Sequence, residues 1–370
     1  MKISIGAKII DGPYGGGNEF FKNLIEFLKS KNHIVIDHLN DDDIDLIVLT
    51  NPLKTSTTST FNHLDILNYQ RNINPNSISI QRVNECDERK NTNYVNKKII
   101  NSNKNIDVTL FVSDWLKNLY LKQGIKTNNI FVIKGGPSSK VYNQTGKLQW
   151  DKTSKLKIIT HHWSDNWSKG FDSYEKLDQL VNEKKWKGKI EFTYIGNLPK
   201  NFKFKNTNVI SPVGKKDLSK VLKNHHLYIT GSLNEPSGNH HMEGVMSGLP
   251  VLYINSGGIP EYCNEYGVMY ELENLEQKLY EIINNYEELF NKTKNYKYSF
   301  ENAALEFSNL LKFIQKNKTS LIANRSIKDG IYQDLKYLTF RIATSIYLKI
   351  RKIKKYLGKI KKKFQSKNEK

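Results

Sequence analysis

Glu235 and Glu243 stand in the segment EPSGNHHME with seven residues between them, flanked by the apolar runs LYIT before and PVLYIN after. Both runs are short, continuous in apolar character and rich in β-branched and aromatic residues, the pattern of strands buried on both faces of a parallel sheet. The two carboxylates therefore fall at the carboxyl end of one strand, the edge at which open α/β sheets bind ligands. Acids so placed can act as a general acid/base pair or as acceptors for ligand hydroxyls. A helix is expected from Asn239, which puts Glu243 in its first turns, where a carboxylate also stabilises the helix dipole. Gly244 beside it and the SGLP turn after it predict that this helix is pressed close to its neighbours. A carboxylate there can take the paired hydroxyls of a ribose, and Glu235, further out, can hold sugar hydroxyls. Gly238 and Asn239 lie at the helix start, and Gly257 and Gly258 in SGGIPE offer backbone N–H groups at a second helix start to a diphosphate.

Three further clusters carry possible chemistry. In GPYGGGNEF, Gly15, Gly16 and Gly17 open a helix after the first strand and let backbone N–H groups approach an anionic ligand. The segment has neither the Gly-Lys-Ser/Thr of a Walker loop nor the full dinucleotide spacing. In HHWSDNWSKG, Lys169 precedes Gly170 near a helix start, placed to meet a phosphate as a point charge, while His161 and His162 end a strand and can bond a ligand or each other. In QRVNECDERK, Arg82, Glu85, Asp87, Arg89 and Lys90 follow a strand; such charge density is ordinarily a solvated loop, and at a strand's carboxyl end it becomes an acceptor-side candidate. No metal is expected, because His161, His162, His240 and His241 lack ligand spacing.

Alternation of strands and helices must position these groups. KISIGAKII, HIVIDH, DLIVLT, SISIQRV, VTLFVS and IFVIK read as strands, and NEFFKNLIEFLKSK gathers Phe20, Phe21, Leu24, Phe27 and Leu28 on one helical face. The start, MKISIGAKII, reads as the first of these strands rather than as a secretory leader. After a polar segment around 146–154 the alternation restarts with LKIITHHW, a helix from Phe171, KIEFTYIG, a helix near Asp217–Lys223, LYITGS and PVLYIN. The pattern predicts an α/β protein of two Rossmann-like domains facing across a cleft: 1–150, 151–315, and a tail at 316–370.

The formal net charge is +20, and residues 325–370 hold 15 Lys/Arg against Asp329, Asp334 and Glu369, a net of +12 that leaves +8 for the rest. Basicity is thus mainly a tail property, segregated from the α/β core and without the interleaved aromatics of a single-strand nucleic-acid platform. A nucleic-acid-binding protein is the alternative from another class; no nucleic acid is expected. From Ile331, the residues Leu335, Leu338, Ile342, Ile346, Ile350, Ile353, Leu357, Ile360 and Phe364 recur at three- or four-residue spacing against a Lys/Arg-rich flank. That is the pattern of a basic amphipathic helix lying on an anionic membrane surface through residues 331–370. A partner-binding helix and a merely solvated arm are the competing readings. Cys86 and Cys263 are too few for a disulfide framework and are expected as free thiols.

The Glu235-to-Glu243 segment with GVMSGLPV and SGGIPE resembles the signature of glycosyltransferase family 4, retaining nucleotide-sugar transferases of the GT-B fold. GPYGGGNEF and the Lys169-Gly170 pair fit the same family, and the resemblance covers roughly residues 1–315. It implies that Glu235 contacts the donor sugar, Glu243 the nucleotide ribose, and Lys169 the diphosphate, with Gly257, Gly258 and Gly15–Gly17 assisting. It further implies a nucleotide-diphosphate sugar donor, no metal cofactor, and a glycan or lipid-linked acceptor in cell-envelope polysaccharide synthesis. The expected location is the cytoplasm, peripheral at the inner face of the membrane. A GT-B epimerase or phosphorylase is the alternative within the fold. The family typically shows an Arg several residues before the Lys; here that stretch reads His162-Trp163-Ser164. Either His161 or His162, or an Arg of the first domain such as Arg82 or Arg89, would fill that place.

Overall fold

The structure, a computed structural model, describes residues 1–10, 15–52, 58–127, 129–325 and 331–368; in the last stretch the described side chains are 335, 337–347, 349–351, 353, 354, 356 and 357. The first sheet takes β1 (Lys2–Ile5), β2 (Ile34–Ile36), β3 (Leu46–Leu49), β4 (Ile78–Val83), β5 (Val108–Phe111) and β6 (Ile130–Val132) in the order β2-β1-β3-β4-β5-β6, all parallel. Between these strands run α1 (Gly16–Ser30), α2 (His63–Asn72), α3 (Asp87–Lys90), α4 (Val95–Asn103) and α5 (Asp114–Lys122). The first strand stops at Ile5 rather than running on to Ile10; at the next residue the Gly6 carbonyl accepts from the Thr50 and Ser59 hydroxyls instead of a strand neighbour.

The second sheet repeats the plan with β7 (Leu156–His162), β8 (Ile190–Gly196), β9 (Asn208–Ile210), β10 (Leu227–Thr230), β11 (Val251–Ile254) and β12 (Gly267–Tyr270) in the order β12-β11-β10-β7-β8-β9, again parallel. A 3-10 turn, Trp167–Lys169, follows β7, and then come α6 (Phe171–Asn182), α7 (Lys215–Lys223), α8 (Asn239–Met246), α9 (Ile259–Cys263), α10 (Leu275–Asn284) and α11 (Tyr286–Thr293). Central strands are buried throughout: β3 reads LIVL and β10 LYIT with every residue inside. Each can be so only because helices cover both faces of a parallel sheet.

α12 (Phe300–Ala323) returns the chain to the first domain. Phe300, Ala303, Ala304, Phe307, Leu310, Leu311, Ile314 and Leu321 join one core with Ile3, Ile5, Leu24, Leu28 and Val108. The helix runs past residue 315, where the sequence pattern placed the start of the tail, and Arg325 fixes its end. That guanidinium donates to both oxygens of Asp107 at 2.7 and 2.9 Å and to the carbonyls of Pro75 and Ser77, in a pair almost wholly shut from solvent. Breaking such a pair by losing one partner costs about 3–5 kcal/mol, since the other charge stays buried. Cys86 and Cys263 are buried free thiols, and burial pushes Cys86 up to about 12.

α13 (Ile331–Asn368) lies against α2 at its beginning, where the Tyr337 hydroxyl donates to Asp65 at 3.1 Å. Leu335, Leu338, Ile342, Ile346, Ile350, Ile353 and Leu357 are each about half exposed or more (48–59%). Ile331, Ile360 and Phe364 of the sequence stripe fall outside the described side chains. Among the described residues no helix is long and apolar enough to cross a membrane.

Candidate active site

Glu235 sits on the loop from β10 to α8, and neighbouring backbone holds it in place. The amide of Gly258 donates to the Glu235 carbonyl at 2.9 Å, and the amide of Asn234 donates to the Ser256 hydroxyl. Gly257 has φ +65°, and a Cβ there would stand 2.5 Å from the Glu235 backbone. So the SGGIPE turn grips the carboxylate's own backbone. The Gly258 N–H, expected from sequence to face a diphosphate, is spent on Glu235 instead. Lys169 closes the 3-10 turn, and Gly170, at φ +106°, lies so near Gly231 that a Cβ would meet its Cα at 2.6 Å. The Ser232 hydroxyl donates to the Lys169 carbonyl at 3.2 Å, which ties the two loops together.

The side chains then meet. Lys169 Nζ donates to Glu235 Oε2 at 2.6 Å, and Arg89 Nε, from α3 of the first domain, donates to Oε1 at 2.9 Å. Burial alone would raise the Glu235 carboxyl, but Lys169 and Arg89 outweigh it and hold the group down to about 2. It is an ionised, buried carboxylate clamped between two cations.

Glu243 lies in α8 and accepts from His161 Nε2 at 2.7 Å, while His161 Nδ1 stands 3.1 Å from the Tyr228 hydroxyl. Because the Glu243 carboxylate accepts, the shared proton belongs on His161 Nε2. The Tyr142 phenol is pushed up by burial and by the Glu243 charge. α8 begins at Gly238 without a side-chain cap, and Asn239 at its first position comes within 3.1 Å of where a Gly16 Cβ would be. A side chain at Gly16 would crowd the Asn239 amide, so the Gly15–Gly17 turn and the Glu243 helix do face one another across the domains. Gly12, Pro13 and Tyr14 of the same stretch lie outside the described residues.

His162 does not bond His161; its Nε2 pairs with the Tyr174 hydroxyl at 2.6 Å, and its ring stacks on Tyr174. His240 bonds the Thr230 hydroxyl at 2.8 Å, and its ring centroid is 4.5 Å from that of His162. Burial, with Lys169 and neighbouring histidines adding to it, keeps both rings well below the usual imidazole range. His241 is fully buried with neither nitrogen bonded, and burial takes it down to about 3. Among the described residues no group of three or more His, Cys, Asp or Glu is arranged to hold a metal ion. An apolar slot beside these rings, at the ends of β7 and β8, is lined by His161, His162, Trp163, Ile195, Val213 and Leu218.

The first-domain cluster divides by role. Asp87 uses both oxygens on the start of α4, accepting from Thr92, Tyr94, Val95 and Asn96, so it is a helix cap rather than a ligand group. Glu85 receives Arg89 Nη1 on both oxygens at 3.0 and 2.9 Å. Arg82 turns away from Glu235 and lies 4.3 Å above the Phe20 ring, with Nη1 buried and unbonded; burial takes it down to about 10. Arg89 alone of the four reaches Glu235 among the described contacts. Sequence reasoning missed that pairing, and it missed Tyr228 behind His161. Nothing in residue spacing could signal either, since the partners are 146 and 67 residues apart.

Residues 191–300 match the family described as Glycosyl transferases group 1. No curated protein matches the chain. Among solved structures, Anabaena Alr3699/HepE in complex with UDP superposes with a TM-score of 0.63 at 12% identity over 85% of this chain and 100% of that one. A sucrose-phosphate synthase from Thermosynechococcus elongatus gives 0.60 at 11% over 85% and 100%. WaaG, a glycosyltransferase involved in lipopolysaccharide biosynthesis, gives 0.56 at 12% over 80% and 95%. The chain has the two-domain GT-B fold of these glycosyltransferases.

Proposed function

We propose that this protein is a retaining glycosyltransferase of family 4, moving a sugar from a nucleoside-diphosphate donor to a hydroxyl of a glycan or lipid-linked acceptor. The observation that carries the reading is the ionised Glu235 clamped beside Lys169, with the His161-held Glu243 on the same sheet edge. Ligand hydroxyls are donors, and both carboxylates are acceptors with directions fixed by their partners. Glu235 orients the sugar, and Glu243 takes the ribose diol. Lys169 and the uncapped start of α8 offset charge that grows on the departing diphosphate.

In the transfer the acceptor oxygen bonds the sugar's anomeric carbon on the face from which the diphosphate leaves. The carbon–oxygen bond to phosphate breaks, and the acceptor's proton passes to the departing phosphate oxygen. Glu235 then acts by holding the sugar in that geometry. Its ionisation and its two cationic partners fit a fixed hydrogen-bond acceptor. The basic helix α13 holds the protein to an anionic membrane surface, where a lipid-linked or envelope acceptor would lie.

The test is a transfer assay with a panel of uridine, guanosine and adenosine diphosphate sugars, with the product's anomeric configuration read by NMR. Transfer with a retained configuration supports the reading. Donor hydrolysis or epimerisation without transfer, or an inverted product, overturns it.

A further inference from the structure

Between residues 90 and 324 the chain contains no arginine, so the whole second domain must meet a diphosphate with lysine as its only permanently charged cation. Lysine is a point charge, whereas a guanidinium binds phosphate oxygens two at a time. One arginine nevertheless stands at the Lys169 site. Arg89 reaches across from α3 and shares the Glu235 carboxylate with Lys169, one cation on each oxygen. It arrives already oriented. Its Nη1 is held by both oxygens of Glu85, and α3 is braced because Asp87, within it, caps α4. Arg82, the other first-domain candidate, is stacked on Phe20 and Phe21 and bonds neither Glu235 nor Lys169 among the described contacts.

We propose that Arg89 completes the donor's diphosphate site from the opposite domain: Glu235 is its counter-ion here, and the diphosphate takes the place of Glu235 when the donor binds. The inference rests on the glycosyltransferase reading above. When the donor's sugar hydroxyls occupy Glu235, Arg89 and Lys169 lose the anion between them, and the diphosphate supplies another at the same place. The diphosphate gives both cations an anion, so neither is left unpaired in a buried site, while the sugar hydroxyls donate to Glu235. It also makes the diphosphate a bridge between the domains, because Lys169 belongs to one and Arg89 to the other. A nucleoside monophosphate, lacking the outer phosphate, should not feel Arg89.

Calorimetric titration of uridine, guanosine and adenosine diphosphates and the matching monophosphates tests this on the full chain, with Arg89→Gln and Arg89→Lys beside wild type. The expected result is a loss of roughly tenfold or more in diphosphate affinity for Arg89→Gln, with monophosphate affinity within about twofold of wild type. Arg89→Lys, which keeps the charge and loses the paired donors, should fall between, and it carries the test if Arg89→Gln does not fold. Unchanged diphosphate affinity would overturn the proposal and leave Arg89 on the acceptor side. Tighter diphosphate binding would overturn it too, by showing that Arg89 only locks Glu235. If wild type binds no nucleoside diphosphate at all, the glycosyltransferase reading fails first, a result distinct from either.

Discussion

The Glu261 carboxylate caps a helix in the other domain, accepting the backbone N–H of Trp115 at 2.5 Å and that of Asp114 at 2.9 Å. Lys134 completes the junction, bridging Glu261 and Asp114 at 2.9 and 3.0 Å. The last acid of the SGGIPE turn thus serves domain docking, while its glycines fix Glu235. Domain docking and the candidate site share one turn.

Substituting Glu261→Gln should loosen that junction while leaving both sheets intact. A cap lost at a helix N-terminus costs about 0.5–2 kcal/mol, and here part of the loss falls on the contact between domains. The expected outcome is a lower melting temperature together with a larger radius of gyration by small-angle scattering. A melting drop with unchanged scattering would show that Glu261 stabilises α5 alone.

Glu235→Gln removes the charge that Lys169 and Arg89 share but keeps the size of the side chain. Transfer should fall by about 100-fold, in the range seen when a fixed electrostatic partner is removed from an active site. Lys169→Ala should fall at least as far. Near-normal turnover in both variants, each confirmed as folded by circular dichroism, would remove these residues from the mechanism.

If Glu243 takes the ribose diol, the wild-type protein should discriminate against a 2′-deoxy version of the donor it accepts. A hydrogen bond to a charged group contributes about 1.5–3 kcal/mol, roughly 10- to 100-fold in kcat/KM. Glu243→Gln should erase most of that preference. His161→Phe, which leaves Glu243 in place without the Nε2–H that aims it, should erase part of it. Equal discrimination in all three proteins would place the ribose elsewhere.

Much of this arrangement could be read from residues alone, for a definite reason. β10, LYIT, leads into the Glu235 loop and β7 ends at His162 after a largely apolar run, and Gly170 and Gly238 stand where the loops turn, so local sequence marks the strand ends and the loops. The tail helix followed from its three- and four-residue repeat. Short edge strands such as β9, NVI, and β12, GVMY, carry too few residues to show a period. What pairs across the domains had no local signal at all. Sequence leaves Arg89 as one of several residues that could stand in for the absent arginine, and only the fold sets it against Glu235; Asp87 beside it is a cap. Glu261 lies in the first turn of α9, yet its partners are the first amides of α5.

Acid should destabilise the protein before Glu235 protonates. His162, His225, His240 and His241 are buried, and burial takes His225 to about 4 and His241 to about 3, with the other two well below the usual range. Unfolded, each binds a proton near pH 6.5; folded, each refuses it. The unfolded chain therefore binds more protons below that pH, and stability falls as pH falls. The slope is about 1.4 kcal/mol per pH unit for each such ring. Glu235, held near 2, adds a loss of the same sign only below about pH 4.5. Denaturant melts at pH 7.5, 6 and 5 should show a steep decline through that window, whereas a flat profile would mean the rings are protonated in the folded state.

The tail's task can be tested through its exposed stripe. α13 sets out beside α2, and Asp65, which receives Tyr337, lies in the first turn of α2. A helix that follows a parallel strand begins near that strand's carboxyl end, so this contact puts the tail on the cleft side of the first domain. A membrane bound there would face the place where an acceptor enters. Each surface Lys or Arg contributes roughly 1 kcal/mol toward an anionic leaflet, and the Leu and Ile stripe adds the apolar part. Wild-type protein should float with phosphatidylcholine vesicles containing about one-third phosphatidylglycerol and not with phosphatidylcholine alone. Replacing Ile342 and Ile346 together by Asp should abolish flotation while transfer to a small soluble acceptor continues. Undiminished flotation of that variant would assign the stripe to a protein partner or to solvent, and the membrane anchor would have to be given up.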